Sequence, residues 1–514
     1  MTSRSFIEAP PHTYLPLSIS GGIRSAMTRE PGKTALHHGS RAINYRDLVT
    51  RIDRVSTALC DGLGLTAGRH VAIAAANCIE FVELLAGAAQ VGVPVVTINP
   101  RLALPEIVAI CDDAQVEILF ADSSLFRSLR DAGYASVRAV MEIGTEYENW
   151  LAAARPLTNA PAIPEWSVFT IPYTSGTTGR PKGVLISHRS RILNWYGLAS
   201  EYGCYGPDDT FVASVPMSAG AGVTFCLATL FFGGTVDLLS KFEPAVVVEK
   251  LKSRPVTGTF LVPAQFHAIF EQSPVLLDKF RGRGNLKAII SNAAPLPQAT
   301  KHEIIDYWGE GLLHELYGSS EASIVSSLRP RDQLRKLSCV GTPFPGGLVR
   351  IVDEAGRECA PGESGELLAK NPSLFNGYWN NPDETAAAFR DGWVGVGDVA
   401  RRDEEGFIYI VDRKKDMVIS GGFNIYPREI EELVHTHPAV SQVAVVGVPD
   451  AKWGERLKAF VVAKPGQSFT LDDLRVLCDG RLASFKIPRE LALLPSLPRN
   501  ANGKVLKTEL RALG

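Results

Sequence analysis

Apolar residues recur every three or four positions over residues 45–63, and that spacing predicts a helix. Residues 70–76 form a short apolar run and predict a strand. The alternation repeats: helix at 79–92, strand at 93–99, helix at 104–114, strand at 116–122. Helix and strand continue through residues 245–263 and 286–296. This rhythm predicts an α/β protein with parallel-type sheets. From about residue 340 the pattern changes to short apolar runs punctuated by Gly and Pro, which predicts short strands and turns. Pro427 opens a further helix, with Ile430, Leu433 and Val434 at helical spacing. Two strands at 440–448 and 457–464 and a helix within 471–485 complete a small α+β domain of roughly a hundred residues. The expected fold is therefore α/β. It has a large N-terminal domain of parallel-type sheets with helices plus a short-stranded β region, and a small mobile α+β C-terminal domain. The expected boundaries are 1–412, a charged hinge at 413–416, and 417–514.

Composition adds mainly exclusions. With 514 residues and a formal net charge of -2, nothing calls for nucleic acid or an anionic membrane as partner. The 8 cysteines are scattered without a Cys-x-x-Cys pair, so neither a zinc site nor a disulfide framework is indicated. The N-terminal segment lacks the continuous apolar core of a signal peptide. The longest apolar run, residues 217–236, is rich in Gly and Ala and predicts a buried helix rather than a membrane span. The cytoplasm is the expected location. Oligomeric state is not encoded legibly; a homodimer is the expectation.

Candidate chemistry begins with "YTSGTTGRPKGV", residues 173–184. Hydroxyls, glycines and one lysine in a single loop suit the oxygens of a phosphate. The order differs from the P-loop, and Pro181 disfavours helix where the P-loop helix would start. The flanks at 168–173 and 183–187 predict strands, so the loop reads as a glycine-rich hairpin. By composition alone it is equally a flexible turn.

Four further segments decide between these readings: "LYGSSEA" at 316–322, "GVGDV" at 395–399, "VDRKKDMVISGGFNIYPREIE" at 411–431 and "PRNANGKV" at 498–505. In this order and spacing the chain resembles the adenylate-forming superfamily, and within it the acyl-CoA synthetase branch. The resemblance covers nearly the whole chain. It implies a two-step ligase: a carboxylate attacks the α-phosphorus of MgATP, pyrophosphate leaves, and a thiol, here that of coenzyme A, displaces AMP from the acyl-adenylate.

It also implies roles. Thr174, Ser175, Gly176, Thr177, Thr178, Gly179 and Lys182 hold the β- and γ-phosphates. Tyr317 stacks on adenine, with the backbone of Asn292, Ala293 and Ala294 against the other face, and Gly318, Ser319 and Ser320 lead to the phosphates. Glu321 takes the magnesium ion, since a carboxylate suits a hard cation. Asp398 accepts from both ribose hydroxyls and Arg413 reaches ribose or phosphate. Lys504 bridges the substrate carboxylate and the α-phosphate, and Lys415 marks the hinge. Gly421 and Gly422 leave a slot for the pantetheine arm, and Trp453 packs on coenzyme A. Apart from the family, Tyr317 reads as a core tyrosine, Asp398 as a turn aspartate, Arg413 and Lys504 as solvated charges and Trp453 as a packing residue.

The chain also departs from the family. Met217 and Ser218 stand where many relatives carry an aromatic-histidine pair at the carboxylate site. Val396 replaces a common threonine before Gly397-Asp398. Asn292 and Leu316 occupy positions often held by glycine and add bulk near the acyl pocket. The pocket segments at 215–225 and 291–297 are mostly small and apolar, which suits a fatty or aromatic acid, and they hold no arginine for a second carboxylate. Two alternatives stand beside the ligase: an enzyme loading a carrier-protein thiol, and a nucleotide-binding protein without catalysis.

Overall fold

The computed structural model describes residues 15–175, 181–413, 416–420, 423–450, 453–499 and 505–513. The chain divides into two compact units. The first comprises residues up to 337 with 343–348 and 370–389; the second comprises 338–342, 349–369 and 390 onward.

Two sheets organise the first unit. In one, the strands His70–Ala74, Val95–Ile98, Val116–Asp122 and Ala139–Ile143 pair in parallel, with Val168–Thr170 beside Val95–Ile98. The strand His70–Ala74 is buried throughout, as a parallel strand covered on both faces must be. In the other sheet, Thr235–Leu238, Thr210–Ala213, Gly258–Leu261, Ala288–Ser291 and Leu313–Ser319 lie side by side in parallel. Ser323–Leu328 then turns back antiparallel to Leu313–Ser319. The segment predicted as one helix at 45–63 is an α-helix over Tyr45–Thr57 that widens into a π turn over Ala58–Gly62.

The helix Ile79–Gln90 is buried on every side. Its polar residues are therefore all partnered, as burial demands. Glu80 accepts from Arg41 at 2.7 Å and Gln90 donates to Asp53 at 2.8 Å. Glu83, with no exposed side-chain surface, accepts from Arg51 through both carboxylate oxygens, at 2.5 and 3.0 Å. Tyr147 donates to the same carboxylate at 2.8 Å, and Arg51 also reaches Glu148 at 2.6 and 2.9 Å. Burial pushes the Glu83 carboxyl above its ordinary value, and Arg51 pulls it back. The apolar run at 217–236 forms the buried helix Gly220–Phe232, closed by Gly233 at φ +94°. Among the described residues, no helix is long and apolar enough to cross a membrane.

In the second unit, Trp393–Arg402 pairs antiparallel with Ile408–Arg413. A separate sheet joins Val418–Ser420, Phe423–Ile425, Gly454–Ala463, Val440–Asp450 and Glu490–Leu493. The helix Pro427–His435 buries Ile430 and Val434 in its core, while Leu433 is partly buried against it. The observed architecture is thus the expected α/β class with a C-terminal α+β part.

Candidate active site

A hairpin forms one wall. The strands Tyr173–Ser175 and Pro181–Gly183 pair antiparallel, with Thr174 opposite Lys182. Gly176, Thr177, Thr178 and Gly179 lie outside the described residues, as do Lys415, Gly421, Gly422 and Lys504. The Lys182 side chain is 11% exposed and forms an ion pair with Glu384. Its ammonium also lies 5.5 Å from the ring centre of Tyr378. The Tyr378 hydroxyl in turn donates to Glu321 Oε1 at 2.9 Å. Burial, reinforced by the charge of Glu321, pushes that hydroxyl's pKa up, so it stays a donor. Lys182 and Glu321 are 139 positions apart in sequence, yet both meet Tyr378. The sequence reading passed over Tyr378; the aromatic cluster "FNGYW" was the available signal.

A second hairpin carries Leu316, Tyr317, Gly318, Ser319, Ser320 and Glu321. It is built by Leu313–Ser319 and Ser323–Leu328, with a register shift between Tyr317 and Gly318. Gly318 is obligatory there, because a Cβ atom would sit 2.0 Å from the Ser323 carbonyl oxygen. Ser319 Oγ accepts from the Ala322 N–H at 3.0 Å and holds the tip. Tyr317 is partly buried, opposite Ser326. The loop after the strand Ala288–Ser291 brings Asn292, Ala293 and Ala294; Ala293 adopts φ +79°, an uncommon conformation for a residue with a Cβ. Strain of this kind clusters at ligand-binding loops.

Beside the second hairpin and Asn292 lies a cavity of about 260 Å³. Asn292, Leu316, Gly318, Ser319 and Ser320 line it, so the second hairpin forms part of its wall. Of the four residues expected at the acyl pocket, Asn292 and Leu316 are in the lining. Met217 is instead fully buried in the core, its N–H donating to Asn77 at 2.7 Å, and Ser218 is not in the lining. The helix that follows contributes its first residues, Gly220 and Ala221. Phe225 and Phe260 supply aromatic walls.

One lining residue changes the electrostatics. Arg191, from the helix His188–Tyr202, faces this cavity, although the segments read as pocket-forming in the sequence hold no arginine. Its Nη1 donates to Thr224 Oγ1 at 2.5 Å. Burial alone pulls the guanidinium down to about 10. The available signal was a polar strip, Ser190, Arg191 and Asn194, interleaved with the apolar face of Ile192, Trp195 and Leu198.

In the second unit, Asp398 and Arg413 are register partners on neighbouring strands, and Arg413 Nε lies 3.4 Å from Asp398 Oδ1. Asp398 is buried and Arg413 exposed. Trp453 is partly buried; its N–H donates to Asp450 Oδ1 at 2.9 Å, and the Arg489 guanidinium lies 5.2 Å from its ring centre.

Glu321 keeps one carboxylate oxygen beyond its bond to Tyr378. Among the described residues no three His, Cys, Asp or Glu side chains cluster as a metal cage. That donor set fits magnesium, which binds through one or two carboxylates and completes its shell with nucleotide phosphates and water.

Comparison with known proteins agrees with this geometry. The family model for AMP-binding enzymes matches residues 23–379, and that for the AMP-binding enzyme C-terminal domain matches residues 429–504. The chain is 33% identical to a feruloyl-CoA synthase from Amycolatopsis sp. over 94% of its own length and 96% of that protein. It is also 33% identical to an indoleacetate–CoA ligase from Aromatoleum aromaticum, with the same coverage. The crystal structure of ATP-bound MatB from Rhodopseudomonas palustris superposes with a TM-score of 0.88 at 32% identity, over 96% of this chain and 98% of that one. With the hairpins, the cavity and both matched regions spanning most of its length, the chain belongs to the AMP-binding enzyme family.

Proposed function

We propose that the protein is an AMP-forming acid–CoA ligase, joining a carboxylic acid to coenzyme A through an acyl-adenylate at the expense of ATP. The observation that carries this reading is the shared wall: Leu316, Gly318, Ser319 and Ser320 line the cavity, and Tyr317 and Glu321 sit on the same hairpin. An acid in the cavity thus lies beside the nucleotide to be attacked, which is the proximity the first step needs. Lys182, with Thr174, Ser175 and the hairpin loop between them, binds the departing pyrophosphate. Tyr317 takes the adenine against Asn292–Ala294. Asp398 holds the ribose, and Arg413, already its neighbour, assists. Tyr378 fixes the Glu321 carboxylate, which would hold magnesium, and the ion when bound would neutralise phosphate charge. The phenyl rings of Phe225 and Phe260 suit an acid with an aromatic or aliphatic body. Gly421, Gly422 and Trp453 serve coenzyme A, Lys415 is the hinge, and the enzyme acts as a cytoplasmic homodimer.

Acid-dependent ATP–pyrophosphate exchange, followed by AMP release with coenzyme A or with a phosphopantetheinylated carrier protein, tests the reading. Exchange with no acid of a broad panel would leave only nucleotide binding, and turnover with the carrier alone would reassign the acceptor. Two variants refine it. Lys182→Ala is expected to slow the exchange by about 3 kcal/mol, the lower end of the scale for one removed oxyanion donor, with circular dichroism unchanged. Leu316→Ala is expected to shift relative kcat/KM toward bulkier acids by about 1–3 kcal/mol, measured across a graded series.

A further inference from the structure

Among the described residues Arg191 has no counter-ion, and it lines the cavity proposed above for the acid. A guanidinium has five N–H donors. Among the described residues one bond is made, to Thr224, whose own hydroxyl donates onward to the Gly220 carbonyl at 2.7 Å. Nε is buried and has no partner. No carboxylate of the described residues lies within ion-pair distance. Elsewhere in this unit several partly buried arginines are paired, Arg51 with Glu83 and Glu148, Arg24 with Asp53 and Arg189 with Glu165, although Arg54 likewise keeps a buried Nε without a partner among the described residues. An arginine half-shielded from water and left unpaired is costly, and an anionic ligand removes that cost.

The surroundings indicate which anion. Lys182 is not in the cavity lining, whereas Phe225, Phe260, Leu316 and Ile324 are, so Arg191 belongs with the body of the acid rather than with the phosphates. Asn194, one turn along the same helix, donates to Ser323 and adds a polar edge beside it. A planar fork is matched by a carboxylate, which takes two parallel hydrogen bonds. We propose that Arg191 receives a second carboxylate on the substrate, so that the preferred acids are dicarboxylic, activated at one end and held by the guanidinium at the other. This rests on the acid–CoA ligase reading above and names its substrate class.

The test pairs each of a series of aliphatic and aromatic dicarboxylic acids with its own monomethyl ester, which keeps the body and removes one charge. Coenzyme A-dependent AMP formation is measured for wild type, Arg191→Leu and Arg191→Lys. The expected wild-type preference for the best diacid over its ester is on the order of 10²-fold in kcat/KM, because an ester strands the buried donors. Arg191→Leu is expected to abolish or invert that ratio, and Arg191→Lys to retain part of it. Should Arg191→Leu fold poorly, the wild-type ratio and the lysine variant still decide. A ratio unchanged by either substitution, a wild-type preference for the esters, or a loss confined to the KM for ATP overturns the proposal and leaves the ligase standing. No AMP formation from any acid of either kind removes the ligase reading, and the proposal with it.

Discussion

Lys504→Ala should slow acyl-adenylate formation by about 3–4 kcal/mol, roughly several hundredfold, while leaving transfer of a supplied acyl-adenylate to coenzyme A nearly intact. The first half-reaction brings a carboxylate up to a polyphosphate, two anions that repel. A lysine between them stabilises charge that develops only as the α-phosphate transfers, so its loss acts on the rate rather than on binding. The second half-reaction displaces AMP with a thiol and has no such encounter. Gly422→Leu is the complementary case: on the role proposed for Gly422, a side chain there would block the pantetheine arm. That variant should form enzyme-bound adenylate and pyrophosphate but little thioester. Rapid-quench measurement of each half-reaction reads both. Equal loss of both steps in both variants, with native circular dichroism, would falsify this division of labour.

Arg51→Met should destabilise the first unit by about 3–5 kcal/mol, the cost of breaking a buried ion pair from one side. Glu83 has no exposed side-chain surface, and Arg51 is the cation that holds both its oxygens. The substitution keeps the stem's packing and removes the charge. It leaves a buried carboxylate with only the Tyr147 hydroxyl. Glu148 loses its partner too, but it is 45% exposed and contributes little. The pH dependence follows. Burial already raises the native Glu83 pKa, and without Arg51 it rises further. Between the unfolded value of about 4.3 and the raised one, the native variant binds more protons than the unfolded chain. Its stability therefore increases as pH falls through that window, and the deficit against wild type is largest above it. Thermal denaturation of both proteins across pH checks this; a deficit that grows toward acid would contradict it.

Much of the fold was legible because its periodicity is strong. Helices and parallel strands alternate from residue 45 to 122 with boundaries close to those observed, since a fully buried strand such as His70–Ala74 needs an unbroken apolar run. Candidate site residues stood out where short loops gather hydroxyls, glycines and charges. The rest depends on helix faces and distant pairing. Met217 follows Pro216 in the loop expected at the pocket, yet Asn77, 140 positions away in the sequence, captures its N–H and turns it into the core. Arg191 lies in a polar strip of its helix that sequence shows as a polar face, but only the fold turns that face to the pocket. Tyr378 lies beyond all the quoted motifs, and only tertiary structure joins it to Lys182 and Glu321.

On the phosphate-binding role proposed for Lys182, its pairing with Glu384 has a consequence for how nucleotides enter and leave. A lysine that already carries its own carboxylate is not a bare anion trap. A phosphate reaching it must displace Glu384, so loading is an exchange of one anion for another rather than a simple capture. Stray anions that cannot outbid a tethered carboxylate are turned away, and ionic strength weakens the old contact along with the new one. The same tether acts in reverse after chemistry. Glu384 would remain near the lysine and compete with pyrophosphate for it, so the contact that screens entry would also hasten the product's departure.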